Sequence, residues 1–352
     1  MERTAKKDPL SKEMKAQVKK QAEKKEEFVG STEMMISTGS TLLDLAISGG
    51  RVRGGGVPGG IFVEIFGPNG TGKTILLSEI AGDIQRKGGD IMFHDPEARL
   101  NKEFAAMFGV TISPENYLIS DTVTEVFEPI RTWDPVGKKK NTIHGIMADS
   151  LAALSTKLEM EDEDGDKMGM RRAKEFSEEL RKTCRIITDK NYIMACSNQV
   201  RENIGAKGNM ARYSTPGGVA VGYYASLRLK TNLMEKIKVK KTINGKAIER
   251  ITGITIEVEV FKNSVWKPYN KAPVTIMFDY GIDNTLQNLQ FIKDFTKNTT
   301  YTLGGESIGK SMEEAIKFVE DENLEKELRE EVIDLWEEIQ SKFSSNRKTK
   351  VR

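Results

Sequence analysis

The chain has 352 residues, enough for one large core with smaller flanking pieces. Its 54 Lys and Arg stand against 52 Asp and Glu, a formal net charge of +2, so global charge marks no nucleic-acid binder and any basic surface must be local. Cys184 and Cys196 form no CxxC pair, no secretory signal is recognisable and no apolar run approaches a membrane span, which predicts a soluble cytoplasmic protein without a membrane partner.

In chain order, residues 1–32 are rich in Lys and Glu, and Met14, Val18 and Ala22 make only a thin i, i+4 stripe. Such a segment is either a solvated arm or a helix that docks on a partner subunit. Leu42, Leu43, Leu45 and Ile47 follow a Ser/Thr start and predict a short helix, and the glycine cluster at 49–60 predicts a flexible loop. The apolar run Ile61 to Phe66 predicts a buried strand, and Ile75, Leu76, Leu77, Ile80 and Ile84 have helical spacing. Between them lies GPNGTGKT, Gly67 to Thr74, matching G-x-x-x-x-G-K-[ST]. In that pattern the loop of Gly67, Pro68, Asn69, Gly70, Thr71 and Gly72 wraps the phosphates, Lys73 reaches the β/γ oxygens and the Thr74 hydroxyl holds Mg²⁺. The chain is therefore expected to bind a nucleoside triphosphate.

Strands at Asp90–His94, Ile143–Ala148 and Tyr192–Cys196 alternate with helices at Leu100–Phe108 and Arg171–Thr188, which predicts a parallel sheet covered by helices. The stretch from Trp133 to Lys140 reads as a surface loop. From Ala225 to Phe278 the pattern is β-rich, with Asn244-Gly245 as a turn signal. Beyond Asp283 it becomes helical, with a capping box at Ser311 and Glu314 and a stripe of Leu324, Leu328, Val332, Leu335 and Ile339. The end, with Arg347, Lys348, Lys350 and Arg352, is a basic tail. His94 and His144 lack ligand partners at metal spacing and are read as structural.

Nucleotide hydrolysis needs one carboxylate on the Mg²⁺ side and another to activate water, both at strand ends beside the phosphate loop. Asp149, closing the strand Ile146-Met147-Ala148, suits the first role, and Glu97 of Asp95-Pro96-Glu97 suits the second, although either could be an ordinary helix cap. The strand ending Ser197-Asn198-Gln199 offers an amide to the γ-phosphate or its water. After it, Val200 to Pro216 is long and polar, carries Arg201, Lys207 and Arg212, and closes on Gly217-Gly218, so it predicts a mobile loop for a polynucleotide backbone. A second such segment, Leu158 to Met170, precedes Arg171, Arg172 and Lys174, but its acidic run from Glu159 to Asp164 opposes simple attraction of DNA.

Seven motifs in order, ISTGS, GPNGTGKT, FHDPEARL, MADSLAAL, SNQVR, TPGGVAVGYYASLRL and VFKN, resemble those of the bacterial RecA recombinase family across nearly the whole chain. The resemblance implies an α/β fold: a RecA-like P-loop ATPase core at 33–282 with a mostly parallel central sheet, an N-terminal helical arm at 1–32, a small C-terminal α+β domain at 283–345 and a basic tail at 346–352. It implies a filament-forming ATPase, using ATP and Mg²⁺, that coats single-stranded DNA, pairs it with homologous duplex DNA and exchanges strands. By position, Glu97 is then the water-activating base, Asp149 the Mg²⁺-side acid and Gln199 the γ-phosphate sensor. Phe104 stacks on adenine. Met168 and Ile204 wedge between bases, with Met170 the alternative to Met168, and Arg181, Arg201, Gly217 and Gly218 meet backbone phosphates. Tyr223 is a subunit contact, and Lys262 reaches the neighbouring subunit's ATP.

The sequence departs from the family at Ser264, where a further lysine is typical and Lys267 is the substitute at hand, at Pro96, in the acidic first loop and in a basic rather than acidic tail. Two other readings remain, a hexameric DNA helicase or motor on the same fold and a passive single-strand coat. The arm and the helical C-terminal domain favour the recombinase over the motor, and Glu97 beside Asp149 favours turnover over a passive coat.

Overall fold

The structure, a computed structural model, describes residues 34–135, 142–161, 168–202, 213–214 and 216–343. The expected arm at 1–32, the tail at 346–352 and Ile204, Lys207 and Arg212 lie outside the described residues.

Strand β1 (Met35–Ile36) pairs antiparallel with β2 (Val57–Pro58), and between them runs α1 (Thr41–Ser48), capped by Ser40, whose hydroxyl accepts from the Leu43 N–H. The glycine cluster expected to be a flexible loop is instead packed: Val52 and Val57 are buried, and a Cβ on Gly55 would lie 2.0 Å from the Asp44 carbonyl oxygen. Positive φ at Gly54, Gly55 and Gly56 and close backbone approach explain these glycines, not mobility.

The chain then alternates through β3 (Ile61–Gly67), α2 (Lys73–Arg86), β4 (Ile91–His94), α3 (Lys102–Met107), β5 (Tyr117–Leu118), α4 (Val123–Thr132), β6 (His144–Ala148), α5 (Lys157–Glu161), α6 (Met168–Asp189) and β7 (Tyr192–Gln199). Strands β3, β7, β6, β4 and β5 lie side by side in that order, all parallel. Alternate residues of β3 face opposite layers. Val63 and Ile65 join Leu76, Leu77 and Ile80 of α2, whereas Phe62 joins Phe127 of α4 and Phe176 and Leu180 of α6. Helix α4 escapes the alternation read from the sequence, although it starts with a complete capping box of Thr122 and Glu125.

After β8 (Arg201–Glu202), β9 (Tyr213–Ser214) and α7 (Gly218–Tyr224), strand β10 (Leu227–Ile243) pairs parallel with β3 at Leu227–Lys230. It turns at Asn244 and Gly245, with φ of 50° and 77°, into β11 (Lys246–Asn263), and β12 (Lys271–Met277) and β13 (Gly281–Ile282) extend the sheet antiparallel. Positive φ at both turn residues is what Asn-Gly supplies. Between the part of β10 held by β3 and the part of β11 held by β12 at Gly253–Glu259, the hairpin is a two-stranded ribbon with exposed side chains.

A C-terminal group of α8 (Asn284–Thr296), hairpin β14 (Tyr301–Leu303) and β15 (Glu306–Gly309), α9 (Met312–Glu322) and α10 (Glu325–Lys342) packs on α1 and β12. Leu324, Leu328 and Val332 are buried as their spacing requires. Arg53 clamps α10, donating to Glu330, Asp334 and Glu337 at 2.8 Å each. Both histidines serve the fold: His144 accepts from the Asp90 N–H at 3.0 Å, and buried His94 bonds Ser120 at 2.8 Å.

Candidate active site

The parallel strands deliver their C-terminal ends to one edge of the sheet, where the loop between β3 and α2 curls over a cavity of about 920 Å³. Gly72 caps α2 in the left-handed region at φ 72°, which turns the first N–H groups of the helix toward that cavity. Asn69, Gly70, Thr71, Gly72, Lys73 and Thr74 line it; Gly67 and Pro68 do not, and their carbonyls accept from the Lys73 ammonium at 3.0 and 2.7 Å. Thr71 pins the loop from behind, bonding the Pro68 carbonyl and the Thr231 hydroxyl, each at 2.7 Å.

Asp149 leaves the end of β6 next to α2 and accepts the Thr74 hydroxyl at 2.5 Å, while its other oxygen accepts from Ser197 at the end of β7. The arrangement follows from adjacency, because β6 and β7 are neighbours in register. Glu97 lines the same cavity, with its carboxylate accepting from Ser150 at 3.3 Å and paired with Arg99 at 2.6 Å. What holds Glu97 there is Asp95, a residue the sequence reading passed over. The buried Asp95 carboxylate accepts the N–H groups of Glu97, Arg99 and Leu100 at 3.2, 2.8 and 2.7 Å and the Tyr117 hydroxyl at 2.8 Å. Ser197 was missed as well. Gln199 and Phe104 complete the lining, the latter wedged edge-on against Phe108.

Burial lowers the Lys73 ammonium from its ordinary pKa, opposed by the nearby carboxylates of Asp149 and Glu97. A lysine between two carboxylates, over a helix N-terminus, suits a polyphosphate. A hydroxyl and a carboxylate in contact are hard oxygen donors of the kind Mg²⁺ takes alongside phosphate oxygens. Among the described residues no group of three His, Cys, Asp or Glu is placed to hold a metal without such help.

The residues expected to meet DNA are distributed differently. Met168 is the first residue of α6, with its side chain outside the description, and Met170 is 80% exposed. Arg171 is half-buried. Arg172 is not presented as an open basic surface; it pairs with Glu159 at 3.3 Å and donates to the Ala152 carbonyl. Glu159 of the acidic run thus has a fold role, and it also accepts the Thr156 N–H. Arg181 is exposed midway along α6, Arg201 lies in β8, and Gly217 caps α7 at φ 89° with Gly218 as its first residue.

Tyr223 on α7 is 77% exposed. Lys262 stays out of the cavity and donates to the Gly222 and Tyr223 carbonyls at 3.0 and 2.8 Å, at the negative end of α7. The backbone of Ser264 donates to the Ser226 carbonyl, and Lys267 lies over the Trp266 ring at 5.2 Å. No helix among the described residues is long and apolar enough to cross a membrane.

Residues 12–283 match the model of the RecA N-terminal domain. Curated relatives agree: the chain is 32% identical to Protein RecA of Borreliella afzelii over 325 residues, covering 90% of this chain and 85% of that one. It is 32% identical to Protein RecA of Crocosphaera subtropica, covering 84% and 82%, and 33% identical to that of Leptospira meyeri, covering 86% and 74%. With the phosphate loop, both strand-end acids and the sheet order accounted for, the chain belongs to the RecA family.

Proposed function

We propose that the protein drives homologous recombination: it forms a helical filament on single-stranded DNA, pairs that strand with homologous duplex DNA and exchanges strands, with DNA-stimulated ATP hydrolysis. One observation carries this reading. Lys73, Thr74, Glu97, Asp149 and Gln199 surround one cavity, whereas Lys262 is absent from its lining and is held at the C-terminal end of α7. A cation missing from its own subunit's cavity completes a site only when a second subunit docks, which makes turnover depend on assembly.

Within the site, Lys73 offsets phosphate charge, and Glu97, steered by Arg99 and Ser150, orients the attacking water and takes its proton. Thr74 and Asp149 would hold Mg²⁺, which supplies charge neutralisation and Lewis-acid polarisation of the phosphates when bound. Gln199 reads the γ-phosphate at the start of the segment assigned to DNA, and Phe104 offers a ring to the base.

The test is ATP hydrolysis by the purified protein with and without single-stranded DNA, with electron micrographs of the same samples. Stimulated turnover with helical filaments supports the reading. Turnover indifferent to DNA, or closed rings alone, replaces it with a motor.

A further inference from the structure

Glu64 lies in β3, the central parallel strand, and its side chain is fully buried. A carboxylate in that position must be paired, because desolvation costs several kcal/mol otherwise. Its two oxygens are divided between two neighbouring strands. One accepts from the Asn198 amide of β7 at 2.9 Å, and the other from the Arg228 guanidinium of β10 at 2.6 Å.

Asn198 is the residue before Gln199 and is itself fully buried. Its amide also donates to the Pro216 carbonyl at 3.0 Å, and its side-chain oxygen accepts the Gln199 N–H at 3.0 Å. Pro216 precedes Gly217, the cap of α7. On the other side, Arg228 faces Lys262 across the β10/β11 ladder, and its guanidinium lies over Phe66 and Phe261 at 4.5 and 5.3 Å. Lys262 grips the C-terminal carbonyls of α7. Helix α7 is thus held on its N-terminal side by the Asn198 amide, through Pro216, and at its C-terminal end by Lys262, the ladder partner of the Arg228 that shares Glu64 with Asn198.

We infer that Glu64, Asn198 and Arg228 form a positioning unit that makes α7, which carries Tyr223 and is gripped by Lys262 of β11, follow the backbone at Gln199. The inference rests on the reading of Gln199 as nucleotide-facing and of α7 as the intersubunit face. Asn198 has spent both donors and its acceptor in a dry site, so a shift of the Gln199 backbone either carries Pro216 and Glu64 with it or leaves buried groups unpaired. None of the three residues lines the cavity.

The test uses the full-length protein and Glu64→Gln, which keeps the shape and removes the charge. Binding of a fluorescent ATP analogue and DNA-free turnover are expected within about twofold of wild type, and DNA-stimulated turnover is expected to fall at least tenfold. In wild type, hydrogen exchange over residues 216–224 is expected to change when a non-hydrolysable ATP analogue binds, and in Glu64→Gln it is expected not to. The double variant Glu64→Gln/Arg228→Met removes the unpaired guanidinium and restores thermal stability. If Glu64 served the fold alone, nucleotide-dependent exchange would return with stability; its return in the double variant overturns the inference. So does a wild-type response retained in Glu64→Gln, or no response in wild type. Wild-type turnover indifferent to DNA sinks the recombinase reading instead, and the exchange comparison still decides the coupling.

Discussion

In the proposed mechanism Glu97 acts through the proton it takes and the water it holds, not through binding of the phosphates. Glu97→Gln is expected to bind ATP as tightly as wild type and to lose at least 100-fold in turnover, measured by nucleotide binding beside steady-state hydrolysis; unchanged turnover removes Glu97 from the mechanism. Glu79 of α2 makes a second residue-level point. Burial pushes its carboxyl up to about 7, with Arg86 opposing and Asp83 and Asp44 adding to the rise. A folded pKa above the unfolded one means stability is full below about pH 4.5 and is lost as pH rises through 7. Glu79→Gln is therefore expected to raise unfolding free energy by about 2 kcal/mol at pH 8 and little at pH 5, read by denaturant titration at both. The phosphate-loop residues were legible because their spacing is local. Asp95 was not, since it looks like any strand-end acid until four donors from two segments converge on it.

Among the elements, the segment from Gly49 to Gly60 shows how composition misleads. Glycine permits mobility and also permits close approach, and only the packing partner tells which. Here α1 passes over Gly55, which has φ 63° and no room for a methyl group. Gly55→Ala is expected to destabilise the protein by about 3 kcal/mol, combining backbone strain with a backbone clash; a thermal midpoint unchanged from wild type would show that the segment yields. Helix α4 was missed for the opposite reason. Val123, Val126, Phe127 and Ile130 have helical spacing and Thr122 caps it, but Pro129 inside the run reads as a breaker. The Asn-Gly turn and the capping box of α9 were readable because each is set by residues close in sequence. The long-range pairing of Arg172 with Glu159 was not.

At the scale of the molecule, alternation of strands and helices was enough to announce a parallel sheet, but not that β10 returns beside β3 and sets Arg228 against Glu64, with Lys262 opposite it on β11. Nor did it announce that the C-terminal group would share its core with α1, or that Trp266 and Trp336 would meet at 5.7 Å beside the Arg53 clamp. The ribbon of β10 and β11 contributes little to this core, although Val239, Ile243 and Ile248 share a cavity of about 600 Å³ with Tyr280, Asp283 and Glu320. Replacing residues 238–251 by a bare Asn-Gly turn is expected to change stability by no more than about 1 kcal/mol, and a larger loss by calorimetry would mean the core leans on it. At about 3.3 Å per residue, the stretch from Leu233 to Ile243 reaches on the order of 30 Å. If shortening proves silent, that reach is a dimension of the molecule that can be changed without touching the core, and what it spans is decided by the cavity it shares with Tyr280 and Glu320.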